Sequence, residues 1–247
     1  MDQLTTTMRM TALKPTSGRR SRLSLFRLGF VGALLFSTVA SGNMQLDRTQ
    51  IVFETDGPGR EDVIVRNTGE HPLYLKLEVL EVTAPGTEEE QREVVENPET
   101  IGLIASPTKL VIQPDRRRAI RLVNLRGHGE QERVYRVNVL PVAPPVDAEG
   151  IGVRILIAYQ LLVFVRPVES RVQLDAERTP EGVRLRNNGN VNVLLRDVQH
   201  CPDAAADCSE LRGMRLYPGN QRLLDAPAGG HVQFTAVANG RSRTHRY

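Results

Sequence analysis

Beyond the first 48 residues, apolar and polar residues alternate in short runs separated by Gly, Pro, Asn or Asp. This period of two is the strongest constraint on what the chain can fold into, because it suits half-buried strands and not helices. Residues 49–53 and 62–66 form two such runs, the second followed by an Asn67-Thr68-Gly69 turn. In 73–82, Leu73, Leu75, Leu77 and Val79 fall on one face, and Lys76 and Glu78 on the other. Further runs occupy 109–112, 119–123, 134–139 and the long stretch 151–165. Arg166-Pro167 ends that stretch, since proline removes a ladder donor. A second series begins near Val172 and takes in 183–186, 191–198, 213–217, 222–224 and 231–238. No segment shows a 3.6 period with caps. Residues 83–100, with Pro85-Gly86, Glu88–Glu90 and Asn97-Pro98, read as a solvated acidic loop. The expected fold is all-β. Strand spacings of about 8–12 residues indicate two immunoglobulin-like β-sandwich domains, 43–166 and 167–247. The second is short for a seven-stranded sandwich.

A net charge of +3 and a pI near 9.1 would ordinarily suggest nucleic acid or an anionic membrane as partner. The charge is confined to one end. Arg9, Lys14, Arg19, Arg20, Arg22 and Arg27 face a single acid, Asp2, within residues 1–42, so the remainder is slightly negative. The cationic stretch, the uncharged apolar run 28–40 and the small residues Ala40, Ser41 and Gly42 together read as a signal peptide over 1–42. The apolar run is shorter than the about 20 residues a membrane span needs. The residues after Arg19-Arg20 fit a twin-arginine signal poorly, which favours ordinary export. No later window is long and apolar enough to span, because Arg154 and Gln160 interrupt 151–165. The mature chain is therefore expected in an oxidising compartment, with no nucleic-acid partner and no stable membrane insertion. With aromatics at 4 % and no Trp, its core must be built mostly from Val, Leu and Ile.

The two cysteines, Cys201 and Cys208, bracket a turn-like segment and are expected to form a disulfide worth about 2–3 kcal/mol. A metal site with His200 would lack two further well-spaced ligands. The five histidines are scattered, no H-E-x-x-H or G-x-S-x-G occurs, and Gly150-Ile151-Gly152 opens a strand rather than a helix. No catalytic residue, metal or cofactor is expected, and the chain does not read as an enzyme. Arg116–Arg118 reads as a solvated hairpin turn. The informative segment is 151–165, where Val153, Ile155, Ile157 and Tyr159 face one way, while from Leu161 the run is apolar on both faces. A row of large aliphatics on an edge strand is a liability unless something covers it. A binding protein can use such a row for β-augmentation.

Several spaced motifs resemble the PapD-like periplasmic chaperones of pilus and fimbria assembly. They are Leu46-Asp47-Arg48-Thr49, Asn67 with Pro72-Leu73-Tyr74, and Pro107, Pro114 and Arg121. Glu132-Arg133-Val134-Tyr135 with Asn138 and Pro141, and Phe164-Val165-Arg166-Pro167, complete the series. The resemblance is best over 46–167 and thin beyond it. It implies two sandwiches in a boomerang arrangement and a donor strand carrying Val153, Ile155, Ile157 and Tyr159. It also implies an interdomain ion pair of Glu132 with Arg166, whose third, acidic member has no clear counterpart here. The implied partners are pilus or fimbrial subunits and an outer-membrane usher. The short connection 140–150 resembles the short-loop class. The chain departs from the pattern at the two cationic positions that anchor a subunit's terminal carboxylate, where Gln50 and Leu162 stand. Two readings follow: a periplasmic chaperone that lends a strand and delivers its subunit to an usher, or a structural or adhesive sandwich protein of the envelope.

Overall fold

The computed structural model describes residues 43–94, 101–142, 156–202, 207–226 and 229–247. The signal-peptide reading of 1–42 lies outside them. Among the described residues there is no helix; every regular element is a strand.

Among the described residues ten strands build the first sandwich. They are β1 (Met44–Leu46), β2 (Gln50–Phe53), β3 (Arg60–Asn67), β4 (Leu73–Thr83), β5 (Gln91–Val94), β6 (Leu103–Ser106), β7 (Lys109–Ile112), β8 (Arg117–Asn124), β9 (Arg133–Val142) and β10 (Tyr159–Val165). One sheet runs β1-β3-β8-β6; the other runs β2-β10-β9-β4-β5, with β7 also pairing to β4. Alternate residues of facing strands meet in the core, with Phe53, Val65, Leu75, Leu122, Val137 and Val163 all nearly or fully buried. The period of two thus becomes one apolar side per sheet. Among the described residues every pairing in this sandwich is antiparallel except that of β2 with β10.

Residues 83–100 are not simply a solvated loop. β5 pairs with the end of β4, from Leu80 opposite Val94 to Thr83 opposite Gln91. All four β5 side chains are exposed, so no alternation marks the strand in the sequence. The long run expected over 151–165 is strand only from Tyr159 in the described part. Residues 156–158 are outside any strand, and 151–155 lie outside the described residues.

Among the described residues eight strands build the second sandwich, so its shortness does not cost it strands. They are β11 (Leu174–Thr179), β12 (Gly182–Asn187), β13 (Val193–Cys201), β14 (Ser209–Glu210), β15 (Met214–Leu216), β16 (Gln221–Asp225), β17 (His231–Ala238) and β18 (Arg241–Arg246). The sheets are β11-β12-β16 and β14-β13-β17-β18, with β15 also on β13. Leu185, Val193, Leu195, Leu216 and Phe234 occupy the core. β18 carries no aliphatic residue and is held by its pairing to β17. Cys201 and Cys208 form a disulfide that closes the β13–β14 connection. His200 places Nε2 2.9 Å from the Gly229 carbonyl.

Each sandwich contains a corner built on a buried asparagine. At the end of β3, the Asn67 amide donates to the His71 and Ile112 carbonyls at 2.7 and 2.9 Å, and Gly69 N–H donates back to Asn67 Oδ1. At the end of β12, Asn187 does the same with the Val191 and Leu216 carbonyls at 2.8 and 2.9 Å and with Gly189 N–H. Both asparagines are fully buried.

Candidate functional site

β9 flanks β10 along its whole length, from Tyr159 opposite Val139 to Val165 opposite Arg133. β2 covers the other side only from Leu162, opposite Gln50, to Val165, opposite Phe53. Leu162 N–H donates to the Thr49 carbonyl at 2.9 Å, and there the cover stops. Among the described residues, nothing pairs with the free side of Tyr159–Leu161. Just upstream, Leu156 and Ile157 are 41 % and 49 % exposed. Ile157 has the same parity as Tyr159 and Leu161, which point into the sandwich. Tyr159 itself is committed to its own chain: the ring packs on the core and the hydroxyl donates to the Met44 carbonyl at 3.2 Å. Val153 and Ile155 lie outside the described residues. Leu161, Val163, Phe164 and Val165 are buried.

The outward side of the same sheet faces the second sandwich. Phe164, Val134 and Val82 pack there against Tyr217. Beside them Glu132 and Arg166 form a buried ion pair, their side chains 0 % and 7 % exposed. The other carboxylate oxygen of Glu132 accepts the Asn192 backbone N–H at 2.9 Å and its side-chain amide at 2.7 Å. Burial pushes the Glu132 carboxyl above its ordinary value, against the pull of Asn192 and Arg166. Glu132 N–H also donates to the Asn190 carbonyl at 3.0 Å. The third member of the cluster is therefore neutral. Asn192 was missed because it sits between Val191 and Val193 in an ordinary alternating run, with no local signal of a cross-domain role.

Gln50 and Leu162 stand side by side on β2 and β10, and neither brings a cation. Arg48 does not replace them, because it pairs with Glu61 of β3 at 2.9 Å. Arg166 is engaged by Glu132. Arg215 instead reaches in from β15: it donates to Gln50 Oε1 at 3.0 Å and to Asn192 Oδ1, and its guanidinium lies 5.0 Å from the Phe164 ring centroid. One arginine among many, it carries no motif that would mark it in the sequence. Gln50, Arg166, Asn192 and Arg215 line a cleft of about 240 Å³.

A second contact joins the sandwiches. The Asn220 amide donates to the Pro85 carbonyl at 3.2 Å, and Arg222 donates to the Gly86 carbonyl. Gly86 has φ +72°, and a Cβ there would stand 2.7 Å from Asn220 Oδ1 and 2.8 Å from the Tyr217 ring. The turn is held by Glu90, which accepts the Gly86 N–H at 2.7 Å and Arg92 Nε at 2.8 Å. Partial burial alone would raise the Glu90 carboxyl, but the Gly86 amide and Arg92 outweigh it and hold it below its ordinary value.

Among the described residues no cluster of His, Cys, Asp and Glu could hold a metal ion, and no helix is long and apolar enough to cross a membrane.

Residues 43–171 match the family described as "Pili and flagellar-assembly chaperone, PapD N-terminal domain". No curated protein matches the chain. Solved structures similar to it include the class 5 fimbriae chaperone CfaA, at 22 % identity and a TM-score of 0.60, covering 83 % of this chain and 98 % of that one. The E. coli chaperone DraB aligns at 17 % identity and a TM-score of 0.59, over 83 % of this chain and 96 % of that one. The Salmonella enterica complex of the SafA pilin with the SafB chaperone aligns at 13 % identity and a TM-score of 0.59, over 85 % and 97 %. At these identities the likeness is one of fold.

Proposed function

The chain belongs to the pili and flagellar-assembly chaperone family, and on that premise we propose that it holds a pilus or fimbrial subunit in the periplasm by strand addition at the open edge of β10. The family supplies the chaperone role in pilus assembly. The observation that carries the finer reading is the partial cover of β10. β2 protects its free side from Leu162 onward and leaves Tyr159–Leu161 with one neighbour. An unprotected edge next to exposed aliphatics invites pairing with another chain. Here Leu156 and Ile157 supply the exposed aliphatics. The donated row would be Val153, Ile155 and Ile157, with Tyr159 marking the point where the row re-enters the chain's own core. Main-chain hydrogen bonds would supply affinity and the aliphatic row would fill the partner's missing strand position. The similar structure of a chaperone with its pilin supports the partner class. Delivery to an outer-membrane usher, export by residues 1–42, and the division into 43–166 and 167–247 belong to the same proposal.

Co-expression with a pilin encoded beside this chain tests the reading. Ile155→Asp and Ile157→Asp should each lower recovery of soluble subunit by about tenfold or more, since each buries a charge in the joint core. Lys109→Asp, at an exposed position of β7, should leave recovery unchanged. Unchanged recovery with both isoleucine variants would remove strand donation from this segment. Stable self-association without bound subunit would instead favour a structural or adhesive role.

A further inference from the structure

We propose that the open rim of the second sandwich, between β11 and β18, takes an acidic extended segment of a separate protein, added as a strand beside β18 with its carboxylates against Arg241 and Arg243. This goes beyond strand addition at β10 and does not depend on it.

The open edge is the first support. β18 ends the sheet β14-β13-β17-β18, and β11 ends the facing sheet β11-β12-β16. Among the described residues β18 pairs with β17 alone and β11 with β12 alone. β18 therefore offers six residues with one side of the backbone open, on a rim that no further described strand closes. Unpaired N–H and C=O groups in a row are a template for another chain.

The parity of the arginines is the second. His245, Arg243 and Arg241 stand opposite Phe234, Ala236 and Ala238 of β17. Directly opposite residues share a face of the sheet, and Phe234 and Ala236 face the core. His245 accordingly stacks on Phe234, with ring centroids 5.4 Å apart. At the next two inward positions, where a closed sandwich carries aliphatics, this chain has arginine. The layer there is left as a groove of about 870 Å³, with Leu174, Val193, Ala236 and Ala238 along it and the two arginines at its side.

The unmatched polar groups are the third. Arg241 and Arg243 make no hydrogen bond or ion pair with any described residue. Burial pushes the His245 imidazole below its ordinary value, and the Arg243 charge pushes it further the same way. At the β17–β18 turn, Asn239 lines the groove and its Oδ1 is buried without a donor. A polypeptide with acidic side chains meets both needs, with carboxylates for the guanidinium groups and a backbone N–H for Oδ1. An anionic lipid brings only the anion. Charges on an edge strand ordinarily repel other strands; two unpaired arginines repel basic ones and attract acidic ones. A second copy of this chain suits the rim poorly. Its exposed β5 is four residues long and contains Arg92, and the neighbouring Glu90 is taken up by Gly86 and Arg92.

The test is calorimetric titration of the purified chain, at low salt, with end-blocked eight-residue peptides in which valine alternates with glutamate, serine or lysine. The glutamate peptide should bind about fivefold or more tightly than the serine peptide, as two cross-strand ion pairs allow. The lysine peptide should not bind. The glutamate peptide should also slow amide exchange along Arg241–Arg246, which places it on β18 and not on β10. Arg241→Glu with Arg243→Glu should turn the preference to the lysine peptide, a gain that misfolding cannot imitate. N-methylation of the valines, or of the glutamates, removes the donors on one side of the added strand, so one of the two methylated forms should lose binding. Equal binding of the glutamate and serine peptides, or protection confined to Tyr159–Leu161, overturns the acidic site and leaves strand addition at β10 to its own test. Retained binding by both methylated forms overturns the added strand, as does binding of phosphatidylglycerol vesicles in place of the peptide. Self-association of the chain that the double reversal abolishes reassigns the rim to a second copy and overturns the separate partner.

Discussion

At the scale of single residues, a few polar groups are buried among the aliphatics, Asn67, Asn187, Asn192, Glu132 and Arg166 among them. The Glu132 carboxylate is sealed from solvent and makes three bonds, one to Arg166 and two to Asn192. Removing one partner of a buried pair leaves the other charged and desolvated, so Glu132→Ala should cost about 3–5 kcal/mol in urea unfolding. Asn187→Ala leaves two buried carbonyls and one N–H unmatched and should cost about 2–3 kcal/mol, with a similar loss for Asn67→Ala. Asn67 opens the turn read from the sequence and is the last residue of β3, and Asn187 stands likewise at the end of β12. That each also holds a distant strand, through Ile112 and Leu216 respectively, is a long-range bond that no local pattern encodes. Glu132 and Arg166 stood out by resemblance alone, and Asn192 and Arg215 by neither resemblance nor pattern. Their roles depend on which strand of the other sandwich lies opposite.

At the scale of elements, legibility followed burial. Strands with one buried face, such as β3, β4 and β9, were visible as alternation. β5 and β18 were not, because nearly all their side chains are exposed and only backbone pairing defines them. The β4–β5 turn shows what such a polar element does. Its Glu90 carboxyl is held below the ordinary value, so the ionised form is favoured in the folded state. The stabilisation is complete above the unfolded carboxyl pKa and is lost as pH falls through the lower folded one. Amide-exchange protection of Gly86 should therefore hold at neutral pH and fall on acidification through and below the usual carboxylate range. Glu90→Gln should abolish that pH dependence; protection that stays flat with Glu90 intact would show that the carboxylate does not hold the turn.

At the scale of the whole molecule, two sandwiches of similar plan meet where Asn192 bonds to the buried Glu132 carboxylate and where the β4–β5 turn docks on Asn220. Gly86→Val places a side chain where Asn220 and Tyr217 already are, in a left-handed conformation that β-branched residues resist. It should weaken the contact enough that denaturation divides into two transitions, one for each sandwich, where the unaltered chain should show one. A single unshifted transition would mean that the turn carries no coupling. The sequence by itself determined the class of fold, because a period of two with punctuating turns leaves an aromatic-poor chain no other way to bury its Val, Leu and Ile. It also determined the disulfide, since the cysteines are only seven positions apart. What only the tertiary structure decided is where β10 loses its cover, and which charges meet in the cleft. Strand order and cross-domain register bring together residues as distant as Gln50 and Arg215. Periodicity records which side of a strand a residue faces, and carries no information about what lies opposite.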